Sequence, residues 1–241
     1  MLTLAIAKCS KELRLSRNIA DMSTRIQAVS HQEYLLKLLQ SELEHRDAAR
    51  KEKLLKNAGF YAIKTFDTFR FDEVTLPSSI DEQYLKHLEF MDSKINLVMY
   101  GNVGTGKTHL SIALGVEACK KGLDVKFFRT SALVNRLAEA KKRGALSAFI
   151  KQLNKADLLI CDEWGYVPLD RTGAQLLFEV ISECYEKKSV IINTNIEFSR
   201  WVNVFYDEQM TGAMIDRILH HCHLLMFSGS SNRMRESSLS R

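Results

Sequence analysis

Apolar positions in the first quarter of the chain fall at helical spacing. Ser30 and Glu33 stand three apart, the capping-box spacing, and Tyr34, Leu35, Leu38, Leu39 and Leu43 follow as an i, i+4 stripe. Shorter apolar sets before it (Leu13, Leu15, Ile19, Met22, Ile26, Val29) extend the pattern to a small all-helical domain over residues 1–64. Past Leu43 the pattern changes. Residues 44–53 hold no large apolar side chain, yet Arg46, Arg50 and Lys53 recur at i, i+4 and i+7 along one edge. A helix that stops being amphipathic but keeps a basic edge is predicted to project from its core, with Asn57 and Gly59 as its stop signal.

A connector with Phe66, Phe69 and Phe71 ends at Pro77, and Ser79 with Glu82 repeats the capping spacing before Tyr84, Leu88 and Met91. From there, short apolar runs at 97–100, 125–129, 158–162, 190–194 and 224–227 alternate with helical stretches at 108–121, 132–143, 145–155 and 173–187. Apolar strands alternating with helices predict an α/β domain over residues 65–241, with a five-stranded parallel sheet covered on both faces.

The composition, 46% hydrophobic and 26% charged, is that of an ordinary globular chain. Two prolines and 11 glycines are too few for a turn-rich β-sandwich. No run approaches the roughly 18 apolar residues of a membrane span, so no membrane partner is expected. The apolar opening at 2–7 is short for a secretory leader and lacks a basic start. Five cysteines, an odd number without any CxxC spacing, read as reduced thiols in a cytoplasmic protein. The run His220, His221, Cys222, His223 reads as a helix C-terminus, where the dipole favours imidazoles; helical neighbours at that spacing point apart and do not chelate together. Charge is informative once located. The net +5 lies entirely within residues 1–64, and the rest of the chain is neutral. That asymmetry suggests a polyanionic partner, most simply nucleic acid.

The chemistry lies at residues 101–108, which read Gly101, Asn102, Val103, Gly104, Thr105, Gly106, Lys107, Thr108. This is the full G-x-x-x-x-G-K-[ST] pattern, set between an apolar strand and an amphipathic helix as a phosphate-binding loop requires. The glycines let successive N–H groups turn inward around phosphate oxygens. Lys107 supplies a point charge for the β- and γ-phosphates, and Thr108 a hydroxyl for Mg²⁺. The cofactors expected are therefore ATP and Mg²⁺. Asp162 closes the strand at 158–162, where it can reach the metal, and Glu163 can orient or deprotonate an attacking water. The run at 190–194 brings Asn193, Thr194 and Asn195 to the same sheet edge as candidates for the γ-phosphate or the water. Trp164 and Tyr166 read first as core packing. Lys141, Lys142 and Arg143 end a helix before Gly144, a position that either the dipole or a DNA backbone explains.

These motifs, with the run 214–225 and the segment 229–236, make the chain resemble the IstB-type helper ATPases of insertion sequences. Those are kin of the DnaC and DnaA clade of AAA+ proteins. The resemblance implies an AAA+ P-loop NTPase fold of the ASCE type, with a helical N-terminal domain. It also implies a sensor-1 role for Asn195 in preference to Asn193, an arginine finger acting in trans at Arg217, and a sensor-2 role for Arg233. Asn232 stands where the family usually has tyrosine. A finger in trans requires a homo-oligomer. The function so implied is a DNA-dependent ATPase that assembles on duplex DNA and helps a separate transposase engage its target. DNA contacts are then expected from Arg46, Arg50 and Lys53 and from Lys141, Lys142 and Arg143. The competing reading is a helicase loader whose N-terminal helices grip a protein. It would need exposed apolar anchors at i, i+3, i+4 spacing.

Overall fold

The computed structural model describes residues 1–16, 18–229 and 231. Its contacts divide the chain into two units, Met1–Lys53 and Leu54–Arg241. Residues 54–64, grouped by pattern with the N-terminal helices, thus belong by contact to the second unit: Leu54, Leu55 and Phe60 join its core, and Ala58 C=O accepts from Phe127 N–H at 2.7 Å.

The first unit holds α1 (Leu2–Glu12), α2 (Ile19–Arg25) and most of α3 (His31–Asn57). The start of α3 is capped as its sequence demands. Ser30 Oγ accepts from Glu33 N–H at 3.1 Å, and the Glu33 carboxylate reaches back to Val29 N–H at 2.9 Å. The packed face of α3 differs from the expected stripe. Leu35, Leu36, Leu39 and Leu43 are all exposed, from 47% to 67%. The face turned inward runs instead through Tyr34, Leu38 and Glu42. Polar bonds set that rotation. Tyr34 Oη donates to Ser23 C=O at 2.6 Å, and Glu42, 4% exposed, accepts from Ser16 N–H at 2.9 Å, from the Ser16 hydroxyl, and from Arg46 Nε at 2.6 Å. Arg46 also donates to Arg14 C=O at 2.5 Å. Among the described apolar side chains of this unit only Ile19 and Ala20 are buried.

The second unit contains β1 (Val74–Thr75), α4 (Glu82–Lys86), α5 (Glu89–Asp92), β2 (Asn96–Gly101), α6 (Lys107–Lys120), β3 (Val125–Arg129), α7 (Thr130–Lys142) and α8 (Leu146–Asn154). It continues with β4 (Leu158–Trp164), α9 (Arg171–Cys184), β5 (Ser189–Thr194), α10 (Val202–Phe205), α11 (Glu208–Leu219) and β6 (Cys222–Phe227). The sheet order is β1-β6-β2-β5-β4-β3. Strands β6, β2, β5, β4 and β3 are the five parallel strands expected. The sixth, β1, pairs antiparallel with β6 and is two residues long, too short for any periodicity to show. Helix α4 is capped by Asp81, which accepts from Tyr84 N–H at 2.8 Å, in place of the expected Ser79.

Alternation along the strands splits the core in two. Leu97, Met99, Val125, Phe127, Ile160 and Ile191 face α6 on one side. Val98, Leu159, Cys161, Val190 and Ile192 face α7, α9 and α11 on the other. Burial on both sides places the carboxyl ends of β2, β4 and β5 side by side, where a parallel sheet presents its ligand-binding edge. Among the described residues no helix is long and apolar enough to cross a membrane.

Candidate nucleotide site

The loop between β2 and α6 turns on glycine. Gly101, Gly104 and Gly106 have φ of +152°, +83° and +103°. At Gly101 a Cβ would run into the Phe227 carbonyl on β6, so no larger residue fits between these strands. Thr105 Oγ1 donates to Asn102 C=O at 2.8 Å. Lys107, buried, donates to Gly101 C=O at 2.7 Å and Asn102 C=O at 2.6 Å. The lysine ammonium is therefore held under the loop at the N-terminal end of α6, where the first-turn N–H groups and the dipole favour an anion.

Beside this loop lies a cavity of about 420 Å³. Val103, Gly104, Gly106, Lys107 and Thr108 line it from the loop, Asp162 and Glu163 from β4, and Asn193 from β5. Thr108 Oγ1 donates to Asp162 Oδ1 at 3.0 Å, and Asn193 Nδ2 donates to the same oxygen and to Ser111 Oγ, both at 2.8 Å. The backbone of Asp162 is tied down as well, its C=O accepting from Thr130 Oγ1 at 2.9 Å. Asn193 Oδ1 is buried without a hydrogen-bond partner. A hydroxyl, a carboxylate and an orphaned amide oxygen are hard oxygen donors, the set Mg²⁺ takes.

Glu163 sits where β4 is irregular. The β4–β5 register shifts between Cys161 and Trp164, and Glu163 has φ +54°, in the left-handed region. A non-glycine residue there costs on the order of 1 kcal/mol. The bulge separates the two neighbouring acids: Asp162 is 4% exposed, whereas the Glu163 side chain is 41% exposed and lies 3.6 Å from Arg129 Nε.

Asn195 follows the end of β5 and is not among the residues lining the cavity, whereas Asn193 is. The Asn195 amide oxygen is buried and unpartnered. Arg217 does not line the cavity either. It donates to Ala213 C=O at 3.3 Å and lies over the Phe178 ring of α9, 4.8 Å from its centroid. Arg233 lies outside the described residues. Lys141, Lys142 and Arg143 are exposed at the end of α7, where Gly144, φ +68°, closes the helix. Arg50 and Lys53 are exposed on α3, and Arg46 bonds to Glu42 and Arg14. Trp164 is core, packed on Trp201 and Phe205, but Tyr166 lines the cavity.

A further wall of the cavity comes from the connector, which carries no motif. Tyr61, Ala62 and Lys64 line the cavity, brought there because His109 Nε2 meets Thr65 C=O at 3.0 Å and Phe60 packs beside Gly115. The signal available was a cluster of aromatic and basic residues before the first strand. Arg129, at the end of β3, was missed for lack of any motif.

The family described as IstB-like ATP binding protein matches residues 10–240. A protein named for ATP binding in insertion sequence IS5376 of Geobacillus stearothermophilus is 36% identical over 88% of this chain and 84% of its own length. One from insertion sequence IS21 of Pseudomonas aeruginosa is 36% identical over 86% and 78%. Among solved structures, AMPPCP-bound DnaA from Aquifex aeolicus superposes with a TM-score of 0.57 at 23% identity, covering 73% of this chain and 56% of that one. A DnaC helicase loader superposes with a TM-score of 0.53 at 25% identity, covering 68% and 96%. The fold is thus that of the AAA+ P-loop ATPases, and the chain spans little more than half of the DnaA chain.

Proposed function

This chain belongs to the IstB-like ATP-binding family, and from that premise we propose that it is a cytoplasmic, ATP-hydrolysing helper of insertion-sequence transposition, which assembles on duplex DNA and engages a separate transposase. The observation that carries the hydrolytic part is one cavity in which Lys107, Thr108, Asp162, Glu163 and Asn193 converge. Thr108 and Asp162 would hold Mg²⁺, which supplies charge neutralisation at the β- and γ-phosphates. Lys107 and the α6 N-terminus bind the same phosphates. Glu163, exposed at the bulge, is free of metal-holding duty and orients the attacking water as its base. Asn193 fixes the Asp162 carboxylate by hydrogen bonding. Asn195, Arg217 and Arg233 keep the sensor-1, finger and sensor-2 roles that the family resemblance implies, Arg217 acting on ATP held by a neighbouring copy in a homo-oligomer.

Support for DNA comes from charge: the +5 within residues 1–64, with Arg50 and Lys53 exposed, and the exposed Lys141, Lys142 and Arg143. The insertion-sequence context of the relatives supports the transposase partner. A second reading, protein capture by the N-terminal helices as in a helicase loader, is favoured by one observation. Leu36, Leu39 and Leu43 stand exposed at i, i+3, i+7 on α3, with Leu35 beside them, which is the anchor pattern a partner helix requires.

The test is retention of labelled duplex DNA by purified Glu163→Gln protein. With ATP this variant should form long-lived complexes and show turnover at least 10²-fold lower, the lower range for a positioned base. Without ATP, or with Lys107→Ala, retention should be lost. Unchanged turnover in Glu163→Gln would refute the base assignment, and ATP-independent retention would refute the coupling.

A further inference from the structure

We propose that Glu186, His220 and His221 form a binding site for a divalent transition ion, Zn²⁺ being the probe of choice, away from the nucleotide cavity. Consecutive histidines on a helix diverge, but this helix ends first. α11 stops at Leu219, His220 is its C-cap, and His221 lies in the turn before β6. Leaving the helix there lets both rings swing to the same side, their centroids 4.1 Å apart. The acidic ligand arrives from the α9–β5 connection, where Glu186 has φ +57° and turns the chain back. One ligand atom from each of the three side chains lies within 4.8 Å of the others. His221 Nε2 is 3.6 Å from Glu186 Oε1. Two ligands on one tetrahedral zinc, each about 2.0–2.1 Å from it, sit about 3.3 Å apart. Since all three side chains are exposed, small rotations close the difference without moving the backbone.

A second contact prepares the site. Tyr185 Oη lies 2.8 Å from His220 Nδ1. That bond occupies Nδ1 and makes Nε2 the nitrogen open to an ion once the exposed ring turns, the outer-shell arrangement that fixes ring orientation and tautomer in metal-binding histidines. Two imidazoles and one carboxylate, with water completing the shell, suit Zn²⁺ or Ni²⁺ over Mg²⁺, which prefers oxygen alone. His223 and Cys222 take no part: both are on β6, His223 facing Tyr84 at 3.3 Å and Cys222 packed against the core. An ion at this place would tie the end of α11, three residues past Arg217, to the turn after α9.

The experiment is calorimetric titration of the full chain with Zn²⁺ in excess Mg²⁺, so that Asp162 does not compete, in a Cys9→Ser background because Cys9 is an exposed thiol. One equivalent should bind per chain. His220→Gln, His221→Gln and Glu186→Gln should each weaken binding about tenfold or more, and Tyr185→Phe by less. Since these side chains are exposed, the variants should keep the circular dichroism and ATP affinity of the parent. Absence of zinc binding in the parent, or binding unchanged in the histidine variants, would overturn the proposal.

Discussion

Arg129 Nε lies 3.6 Å from Glu163 Oε1. The carboxylate assigned to the attacking water is therefore paired with a cation from the end of the neighbouring strand. The two side chains are 57% and 41% exposed, so solvent screens the pair and its strength is at most about 1 kcal/mol. A restraint of that size is easily broken when substrate arrives. Arg129→Gln should release Glu163 and raise basal ATP turnover, measured without DNA, by up to about fivefold, the rate equivalent of 1 kcal/mol. A fall in turnover would instead make Arg129 a positioning residue for the carboxylate.

The glycine-rich loop and the acidic pair are legible as a candidate site because their chemistry demands contiguous residue types; Val103, Gly104, Gly106, Lys107, Thr108, Asp162 and Glu163 line one cavity. The α3 face was misread because leucines on a helix identify an apolar face without saying what covers it. In the structure Glu42 and Tyr34 win the interior through hydrogen bonds to Ser16 and Ser23, and the leucines turn outward. Asn193 and Asn195 are two apart, so alternation cannot separate them. β5 ends at Thr194, so Asn193 lies within the strand against Asp162 and Asn195 just past it, its amide oxygen buried. The connector wall of Tyr61 and Lys64 depends on packing against His109 and Phe127 far along the chain, which no local pattern encodes.

Arg217 gives a prediction that separates action within one chain from action across an interface. Resting on Phe178 and outside its own cavity, it should leave ATP affinity intact when changed to alanine. Turnover of the assembly should fall by about 10³–10⁵, the range for arginine fingers. Mixing Arg217→Ala with Glu163→Gln protein should restore part of the activity, because some interfaces then unite an intact finger with an intact Glu163. Mixtures that stay inactive while subunits exchange would exclude the trans role.

Glu42 links the first unit to pH. Burial pushes its carboxyl up, but hydrogen bonds from the Ser16 hydroxyl and N–H and from Arg46 outweigh this, and the group is held below its ordinary value. A depressed folded value means that the ionised form stabilises the fold. That contribution is fully present above the unfolded value, about 4.3, and is lost as pH falls through the folded one. Glu42→Gln should therefore destabilise the unit by about 1–3 kcal/mol near neutrality. Amide exchange over α3, compared between variant and parent at each pH, should show a gap at neutral pH that closes under acid. A gap independent of pH would show that packing, not the charge, is what Glu42 supplies.

The N-terminal unit carries both a basic edge and an apolar face, and separate substitutions can tell which one binds. Arg46 must be left intact, since its bonds to Glu42 and Arg14 belong to the fold; a variant lacking it would confuse weakened binding with weakened folding. Arg50 and Lys53 are the exposed pair to change, with circular dichroism checking that the unit stays folded. If they hold phosphates, the Arg50→Gln/Lys53→Gln pair should weaken binding to any duplex and flatten the salt dependence by about 0.9 for each phosphate no longer neutralised, or nearly 2 in all. ATP affinity should not move, because the nucleotide cavity draws its residues from 61 onward. Leu36→Ser/Leu39→Ser/Leu43→Ser tests the other face. These side chains are 55%, 47% and 67% exposed, so the triple change removes little buried apolar area and should leave the unit folded. An exposed apolar row on a unit that buries so little of its own is expected to be covered by a partner. Loss of transposase binding with duplex affinity retained would assign the leucines to protein capture and the basic edge to DNA. An unchanged salt slope in the Arg50/Lys53 variant would move the DNA to the ATPase unit, at Lys141, Lys142 and Arg143.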